Sequence, residues 1–237
     1  APPGAADPRR AAITVEHLLD MSTGLACDDD DDASPGNEDT MQQQTREPDW
    51  YRYTWRLPLI AVPGTKTAYC SATINLLGAV LERKRHTALD DDFFTLLARP
   101  LDMPRAAINL MPTGQAYLGG GARLRTRDFA KLAELVLERG QWRGRQIVSA
   151  AWLARATAAH ASIHAPDDYG FGWWRTTFHV GGRDVEAYNA GGNGGQLAFA
   201  VPSLDLVIAI NAGNYGNFAT WRKFGDELVP QILAAAR

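Results

Sequence analysis

The stretch of sequence that decides the fold runs from residue 63 to residue 82. Its first part reads Pro63-Gly64-Thr65-Lys66-Thr67-Ala68-Tyr69-Cys70-Ser71, and its second part reads Ala72-Thr73-Ile74-Asn75-Leu76-Leu77-Gly78-Ala79-Val80-Leu81-Glu82. The proline and glycine predict a turn, and the apolar second part predicts a helix. The segment therefore predicts a tyrosine hydroxyl, that of Tyr69, presented between a turn and an anchoring helix.

Length and composition exclude several classes of protein. The 237 residues, 46% of them hydrophobic, can bury a sizeable core. A formal net charge of -3 gives no electrostatic reason to expect nucleic acid or an anionic membrane as a partner. No apolar run approaches the roughly 20 residues that span a bilayer, and the first ten residues do not form a signal peptide. We expect no nucleic-acid partner, no membrane span and no cofactor.

Helical patterns flank the tyrosine motif. Thr14 is a predicted N-cap for a helix up to Met21, and a helix from Asp91 is expected to stop near Pro100. The threonine-capped segment Thr126–Leu137 has the clearest amphipathic spacing. By contrast, the acidic run and turn residues between 27 and 49 predict a surface loop.

The pattern changes towards strands after Asp168. Four segments with short Gly, Pro or Asp turns between them predict antiparallel strands: 169–174, 185–189, 197–201 and 206–210. A final helix is expected from Trp221 to Ala236, covering one face of that sheet. The fold class is therefore α+β, with a mainly helical lobe over residues 13–160 and an antiparallel sheet with a terminal helix over 168–237.

The motif at 63–71 resembles the Pro-Gly-x-x-x-x-Tyr-x-Asn segment of penicillin-recognising serine hydrolases, the superfamily of class C β-lactamases, D-Ala-D-Ala carboxypeptidases and related esterases. The segments "Thr-Val-x-x-Leu-Leu-x-Met" after Ile13 and "Gly-Gly-Gly-x-x-x-Thr-x-x-Asp-x-Ala-x-Leu" after Leu118 resemble the same proteins. The resemblance extends from Ile13 to Gly216. It implies a β-lactamase/transpeptidase-like fold, with residues 1–237 as a partial domain.

The resemblance also implies an acyl-enzyme mechanism, in which Tyr69 helps to move the proton. The nucleophile of that mechanism is missing from this sequence. A Ser-x-x-Lys motif needs a serine three residues before a lysine, and Lys66, Lys84, Lys131 and Lys223 follow Pro63, Leu81, Asp128 and Thr220 at that distance. We expect the nucleophile to come from an N-terminal segment outside this chain, and the chain alone to be inactive.

Two further positions depart from the family pattern. Ser71 stands where the family has the asparagine that contacts the substrate, and Ala190 stands where relatives carry lysine or histidine. The glycine-rich stretch that follows is expected to provide a backbone oxyanion donor, with Gly192, Asn193 and Gly194 as its residues. These departures favour an esterase, amidase or peptidase over a true β-lactamase. The alternative is a non-catalytic binding or regulatory protein of the same fold.

The two cysteines, Cys27 and Cys70, lie in segments that flank the cleft of the resembled family. The resemblance implies that they are close enough to form a disulfide, and two buried free thiols are the alternative. A disulfide would favour a periplasmic or secreted location over a reducing one.

No metal site is expected. The run Asp28–Asp32 lacks the glycine and glutamate spacing of a calcium loop. His160 and His164 would share a helix face, but no third ligand is evident.

Overall fold

The computed structural model describes residues 7–236. The chain divides into two compact units: Ala1–Thr95 with Ala107–Arg123, and Leu96–Ala106 with Leu124–Arg237. In the part of the chain that the structure describes, no helix is long and apolar enough to cross a bilayer.

The first unit is helical. After a 3₁₀ turn at Pro8–Ala12, its helices are α1 (Val15–Leu19), α2 (Glu38–Gln43), α3 (Trp50–Trp55), α4 (Ser71–Arg85) and α5 (Leu89–Asp92). Buried apolar side chains from these helices and from the loops between and after them form one core, which includes Leu25, Met41, Leu76 and Tyr117. Trp50 packs its ring edge-on against Tyr117 with ring centroids 5.2 Å apart.

Side-chain caps mark the start of two helices, α1 and α4. Thr14 caps α1 by accepting from the backbone N–H of His17, which confirms the predicted N-cap. The helix α4 begins after Cys70, whose sulfur accepts from Thr73 N at 3.2 Å. It ends at His86, which has a left-handed φ of 57°. The predicted helix after the tyrosine is therefore confirmed.

The predicted surface loop over residues 27–49 is only partly a loop. Its middle forms α2, because Asn37 caps the helix through its side-chain oxygen, which accepts from Asp39 N and Thr40 N. Met41 is 0% exposed and belongs to the core of the first unit. The expectation was wrong here because the polar composition hid a single buried apolar anchor.

The second unit is built on an antiparallel sheet in the order β3 to β7. These strands are β3 (Asp168–Tyr169), β4 (Trp174–Val180), β5 (Arg183–Gly192), β6 (Gln196–Val201) and β7 (Leu206–Ile210). A separate hairpin pairs β1 (Gln141–Trp142) with β2 (Arg145–Gln146). The strands β5, β6 and β7 were predicted. The segment predicted as one strand over 169–174 instead joins the end of β3 to the start of β4.

Helices cover both faces of this sheet. On one face, Ala133 and Val136 of α6 (Thr126–Leu137) pack against Ala198 and Ala200 of β6. On the opposite face, Val229 and Leu233 of α9 (Val229–Ala235) pack against Val185 and Leu197. This unit also contains α7 (Ala150–Ala156), a 3₁₀ turn at Pro202–Leu204, α8 (Phe218–Lys223) and a π-helical turn at Phe224–Leu228 that joins α8 to α9. The predicted terminal helix is thus confirmed.

The position of α6 changes the expected division of the chain. Sequence patterns placed α6 in a helical lobe over residues 13–160, but its apolar side packs on the sheet, so it belongs to the second unit. The helix begins at Thr126 itself, after Arg125, so the threonine is its first residue and not its cap. A second helical segment, the π-helical turn Phe93–Ala98 after α5, ends shortly before Pro100, as predicted.

Candidate functional site

Tyr69 lies at the end of a segment that is held by backbone hydrogen bonds. We call this segment, residues 63–69, the tyrosine strap. Gly64 donates its N–H to Ser22 O at 2.8 Å, and Ala68 donates to Met21 O at 3.1 Å. Gly64 has a φ of 83°, a conformation that favours glycine at this turn. The strap delivers Tyr69, partly buried, directly before the first residues of α4.

The carboxylate of Asp29 ties this strap to the acidic loop. Its Oδ2 accepts from the backbone N–H of Ser71 at 2.7 Å, and its Oδ1 accepts from the backbone N–H of Glu38 at 2.9 Å. The N–H of Asp29 in turn donates to Tyr69 O at 2.8 Å. Burial raises the pKa of Asp29, and it outweighs the hydrogen bonds from the backbone and side chain of Ser71 that lower it.

A second partly buried carboxylate, that of Glu38, lies close enough to Asp29 for the two charges to interact. Its Oε1 accepts from the Tyr117 hydroxyl at 2.7 Å and from Gln42 Nε2 at 2.9 Å. Burial is the main reason why the pKa of Glu38 is raised, and the neighbouring Asp29 charge raises it further. The pKa of Tyr117 is raised as well, by burial first and then by Glu38.

The three glycines at 119–121 allow the backbone to pass close to neighbouring side chains and backbone atoms. A Cβ at Gly119 would lie 2.3 Å from the Tyr117 hydroxyl oxygen and 2.7 Å from Ser71 O. A Cβ at Gly121, where φ is 75°, would lie 2.2 Å from Asn109 Nδ2. Both distances are far below a normal contact, so only glycine fits at these two positions.

Carboxylates dominate the electrostatic surroundings of Tyr69. Burial raises the pKa of Tyr69 to about 12, and the charges of Asp29, Glu38 and Asp30 raise it in the same direction. The catalytic role implied by the resemblance would need cations that lower this pKa. In the chain as described, Tyr69 is therefore a protonated hydroxyl at neutral pH, a proton donor and not a base.

Cys27 and Cys70 are joined in the structure, with alpha carbons 5.7 Å apart. That separation lies within the range that a disulfide requires. Both cysteines are buried in the core of the first unit, at 5% and 2% exposure. The link attaches the acidic loop to the residue between Tyr69 and Ser71, close to the contacts of Asp29.

The glycine-rich stretch forms the tight turn between β5 and β6. Gly192 pairs with Gln196, and Gly194 and Gly195 have φ values of 90° and 95°. A Cβ on Gly194 would lie 2.9 Å from the ring of Tyr215, and one on Gly195 would lie 2.9 Å from the ring of Phe224. The turn is thus fixed by two aromatic rings, while Asn193 is exposed.

Each unit holds part of the predicted set of site residues. Tyr69, Ser71, Cys27 and Cys70 lie together in the first unit, and the turn with Gly192, Asn193 and Gly194 belongs to the second. Ser71 is 5% exposed and donates its backbone N–H to Asp29. Its predicted substrate contact stays a prediction.

Sequence patterns did not predict Asp29, Glu38 and Tyr117 as residues of the candidate site. The acidic run marked Asp29 only as one of five aspartates, and the other two carry no local motif.

The two histidines considered as a metal pair do not share a helix. The helix α7 ends at Ala156, so His160 and His164 follow in irregular chain. His160 stacks on Phe171 with ring centroids 3.9 Å apart, and His164 stacks on Trp174 at 5.0 Å. Within residues 7–236, no group of three or more His, Cys, Asp or Glu side chains could hold a metal ion.

The chain is similar to known hydrolases and to a penicillin-binding protein. The 6-aminohexanoate-dimer hydrolase of Paenarthrobacter ureafaciens is 30% identical over 154 residues, which cover 59% of this chain and 37% of that protein. A solved structure from Bacillus anthracis, named for a 6-aminohexanoate-dimer hydrolase, has a TM-score of 0.74 at 17% identity and covers 94% of this chain and 62% of its own. A penicillin-binding protein from Bacillus halodurans has a TM-score of 0.69 at 17% identity and covers 94% and 74%.

The chain spans little more than a third of the curated relative, 37% of its length. The family model for beta-lactamase matches residues 2–220, nearly the whole sequence. With the tyrosine motif before α4 and the antiparallel sheet of the second unit, this match decides the assignment: the chain belongs to the beta-lactamase family and has the fold of the penicillin-binding-protein-like serine hydrolases.

Proposed function

We propose that this chain is the C-terminal portion of a serine hydrolase that cleaves an ester, amide or peptide bond through an acyl-enzyme. A Ser-x-x-Lys segment outside this sequence supplies the nucleophile. The observation that carries the proposal is the tyrosine strap: Tyr69 is delivered to the start of α4 in the Pro-Gly-x-x-x-x-Tyr pattern and anchored by Asp29 on both sides of Cys70.

The proposed reaction has two stages. The serine oxygen attacks the carbonyl carbon and its proton passes to the lysine and Tyr69 pair, while the departing amine or alcohol takes a proton from the same pair. Water then attacks the acyl-enzyme and releases the acid. The backbone N–H of Asn193 is the proposed oxyanion donor, in the turn that Gly194 and Gly195 shape.

The proposed lysine would also change the pKa of Tyr69. Burial and three carboxylates raise the pKa of Tyr69 to about 12, which suits a proton donor at neutral pH but not a base. A lysine ammonium brought within a few ångströms of the hydroxyl would favour the phenolate and lower that pKa. Tyr69 thus needs the outside segment for its proposed role, as the reaction needs the serine.

The proposed substrate class is a linear amide. Ala190 stands at the position where relatives carry lysine or histidine, so its side chain offers no charge to the carboxylate of a β-lactam. The curated relative is named as a hydrolase of 6-aminohexanoate dimer, which has an amide bond. We therefore propose amides over β-lactams.

The second candidate is a non-catalytic protein of the same fold. It is favoured by the absence of Ser-x-x-Lys from the sequence and by the carboxylate surroundings of Tyr69. Both candidates share the fold and the strap, and they differ in whether Tyr69 takes part in turnover.

The test is the substitution Tyr69→Phe in the complete gene product, assayed with linear amides and with a β-lactam. Loss of the hydroxyl is expected to lower kcat by about a hundredfold or more with little change in KM, because proton transfer is lost and binding is kept. The substitution Tyr53→Phe is the control, since that hydroxyl donates to Pro35 O at the surface. Equal kcat for parent and Tyr69→Phe would reject the catalytic proposal, and preference for the β-lactam would reject the substrate class.

A further inference from the structure

The side chain of Asp29 connects the acidic loop to the tyrosine strap, two residues after the Cys27–Cys70 link between the same segments. Three hydrogen bonds converge on this residue: its two carboxylate oxygens accept from Ser71 N and Glu38 N, and its own N–H donates to Tyr69 O. The two oxygens of one carboxylate thus accept hydrogen bonds from the first backbone N–H of α4 and from the first backbone N–H of α2.

Both helix starts have unpaired N–H groups and a partial positive charge, which a carboxylate satisfies and balances. The caps of the two helices, Cys70 and Asn37, leave these particular N–H groups to Asp29, since the cap atoms accept from Thr73 N and from Asp39 and Thr40 N. The bonds of Asp29 are therefore additional to the caps.

We infer that Asp29 is a positioning residue for the proposed reaction, one that fixes the backbone on both sides of Cys70 and so sets the direction in which Tyr69 points. The inference rests on the proposed function, because the direction of Tyr69 matters only if Tyr69 takes part in the reaction. The anchoring by Asp29 does not depend on that function. Asp29 acts through Tyr69 and Ser71 and touches no substrate in the proposed reaction.

A second link beside Asp29 fastens the same two segments. The loop is held at Asp29 by its carboxylate and two residues earlier by the Cys27–Cys70 link, so the strap is fastened at two adjacent points. Burial raises the pKa of Asp29, an electrostatic cost that the hydrogen bonds of Ser71 and Glu38 offset in part. After burial, the charges of Asp29, Glu38 and Asp30 raise the pKa of Tyr69.

The experiment compares Asp29→Ala and Asp29→Asn with the parent 237-residue chain. The control is Asp32→Asn, which removes the same charge from an exposed position in the same loop. Amide hydrogen exchange is measured at Ser71 and Glu38, and the ionisation of Tyr69 is followed by NMR with ring-labelled tyrosine.

In Asp29→Ala, exchange at Ser71 and Glu38 is expected to accelerate by about tenfold to a hundredfold, the effect of losing a hydrogen bond to a charged group. Asp29→Asn keeps one acceptor and should protect one of the two amides only. Both variants should lower the pKa of Tyr69, because a charge that raises it is gone. Asp32→Asn should change neither readout.

Unchanged exchange at both amides in Asp29→Ala would overturn the inference. So would a Tyr69 pKa that does not move in either variant. If neither variant folds, Asp29 serves the stability of the whole first unit and the positioning role is also overturned.

In the complete gene product, Asp29→Ala is expected to lower kcat far more than it changes KM, with partial rescue in Asp29→Asn. A parent protein without any turnover would reject the proposed function and leave the exchange result, and hence the anchoring, unaffected.

Discussion

Glu38 is a partly buried carboxylate whose side-chain hydrogen bonds come from a phenol and an amide. Such a group is costly to ionise, because burial removes water and Asp29 adds a like charge. The raised pKa means that the folded protein binds this proton more tightly than the unfolded chain does. The stabilisation is complete below the ordinary pKa of 4.5 and is lost as the pH rises through the raised value.

The substitution Glu38→Gln tests this cost. Glutamine keeps the Oε1 acceptor for Tyr117 and carries no charge, so the variant should gain stability relative to the parent as the pH is raised from acidic to neutral. Urea unfolding at both pH values measures the difference in the free energy of unfolding. Glu138→Gln, at an exposed position, is the control and should show no such gain. A gain for Glu38→Gln at acidic pH alone would contradict the assignment.

Gly119 gives a second prediction at the scale of one residue. A methyl group there would lie 2.3 Å from the Tyr117 hydroxyl oxygen and 2.7 Å from Ser71 O, so Gly119→Ala must displace the strap or the ring. We expect a loss of about 1 to 3 kcal/mol in the free energy of unfolding, the usual cost of overpacking. Gly213→Ala, where a Cβ would meet no atom within 4 Å, is the matched control. Equal stability of the two variants would contradict the close approach.

At the scale of elements, the link between Cys27 and Cys70 fastens the acidic loop to the start of α4. It joins residues 43 positions apart, and closing a loop of that length stabilises the folded state by about 3 to 4 kcal/mol in the chain-entropy model. Replacing both cysteines by serine should remove that amount while keeping an oxygen acceptor for Thr73 N at the cap. Urea unfolding of the variant measures it, with the reduced parent as the comparison. Two free thiols in unreduced protein would contradict the link itself.

Local signals predicted the elements that depend on neighbours in sequence. Thr14 marked α1, the apolar run after Tyr69 marked α4, and the spacing of 126–137 marked α6. Local signals could not predict the cluster of Asp29, Glu38 and Tyr117, because its hydrogen bonds join residues far apart in sequence. Asp29 bonds to Ser71 across 42 positions, and Tyr117 bonds to Glu38 across 79. Polar residues in such bonds follow no period. A helix such as α2, with one buried anchor at Met41, gives too weak a pattern.

At the scale of the whole molecule, the sequence indicated a helical part followed by a sheet, and the structure moves the division. Both faces of the sheet carry apolar side chains, so α6 packs on one face opposite α9 and joins the second unit. The periodicity of α6 showed that it has an apolar side but not which partner covers that side. This is why the elements were predicted better than their grouping.

We have proposed that this chain holds the tyrosine strap of an acyl-transfer enzyme and that the nucleophile lies outside it. Intact-mass spectrometry after treatment with a fluorophosphonate probe tests this most directly, on the 237-residue chain and on the complete gene product. We expect an unmodified chain and a single adduct on the complete product, at the serine of a Ser-x-x-Lys motif. An adduct on a serine of this chain, or none on the complete product, would contradict it.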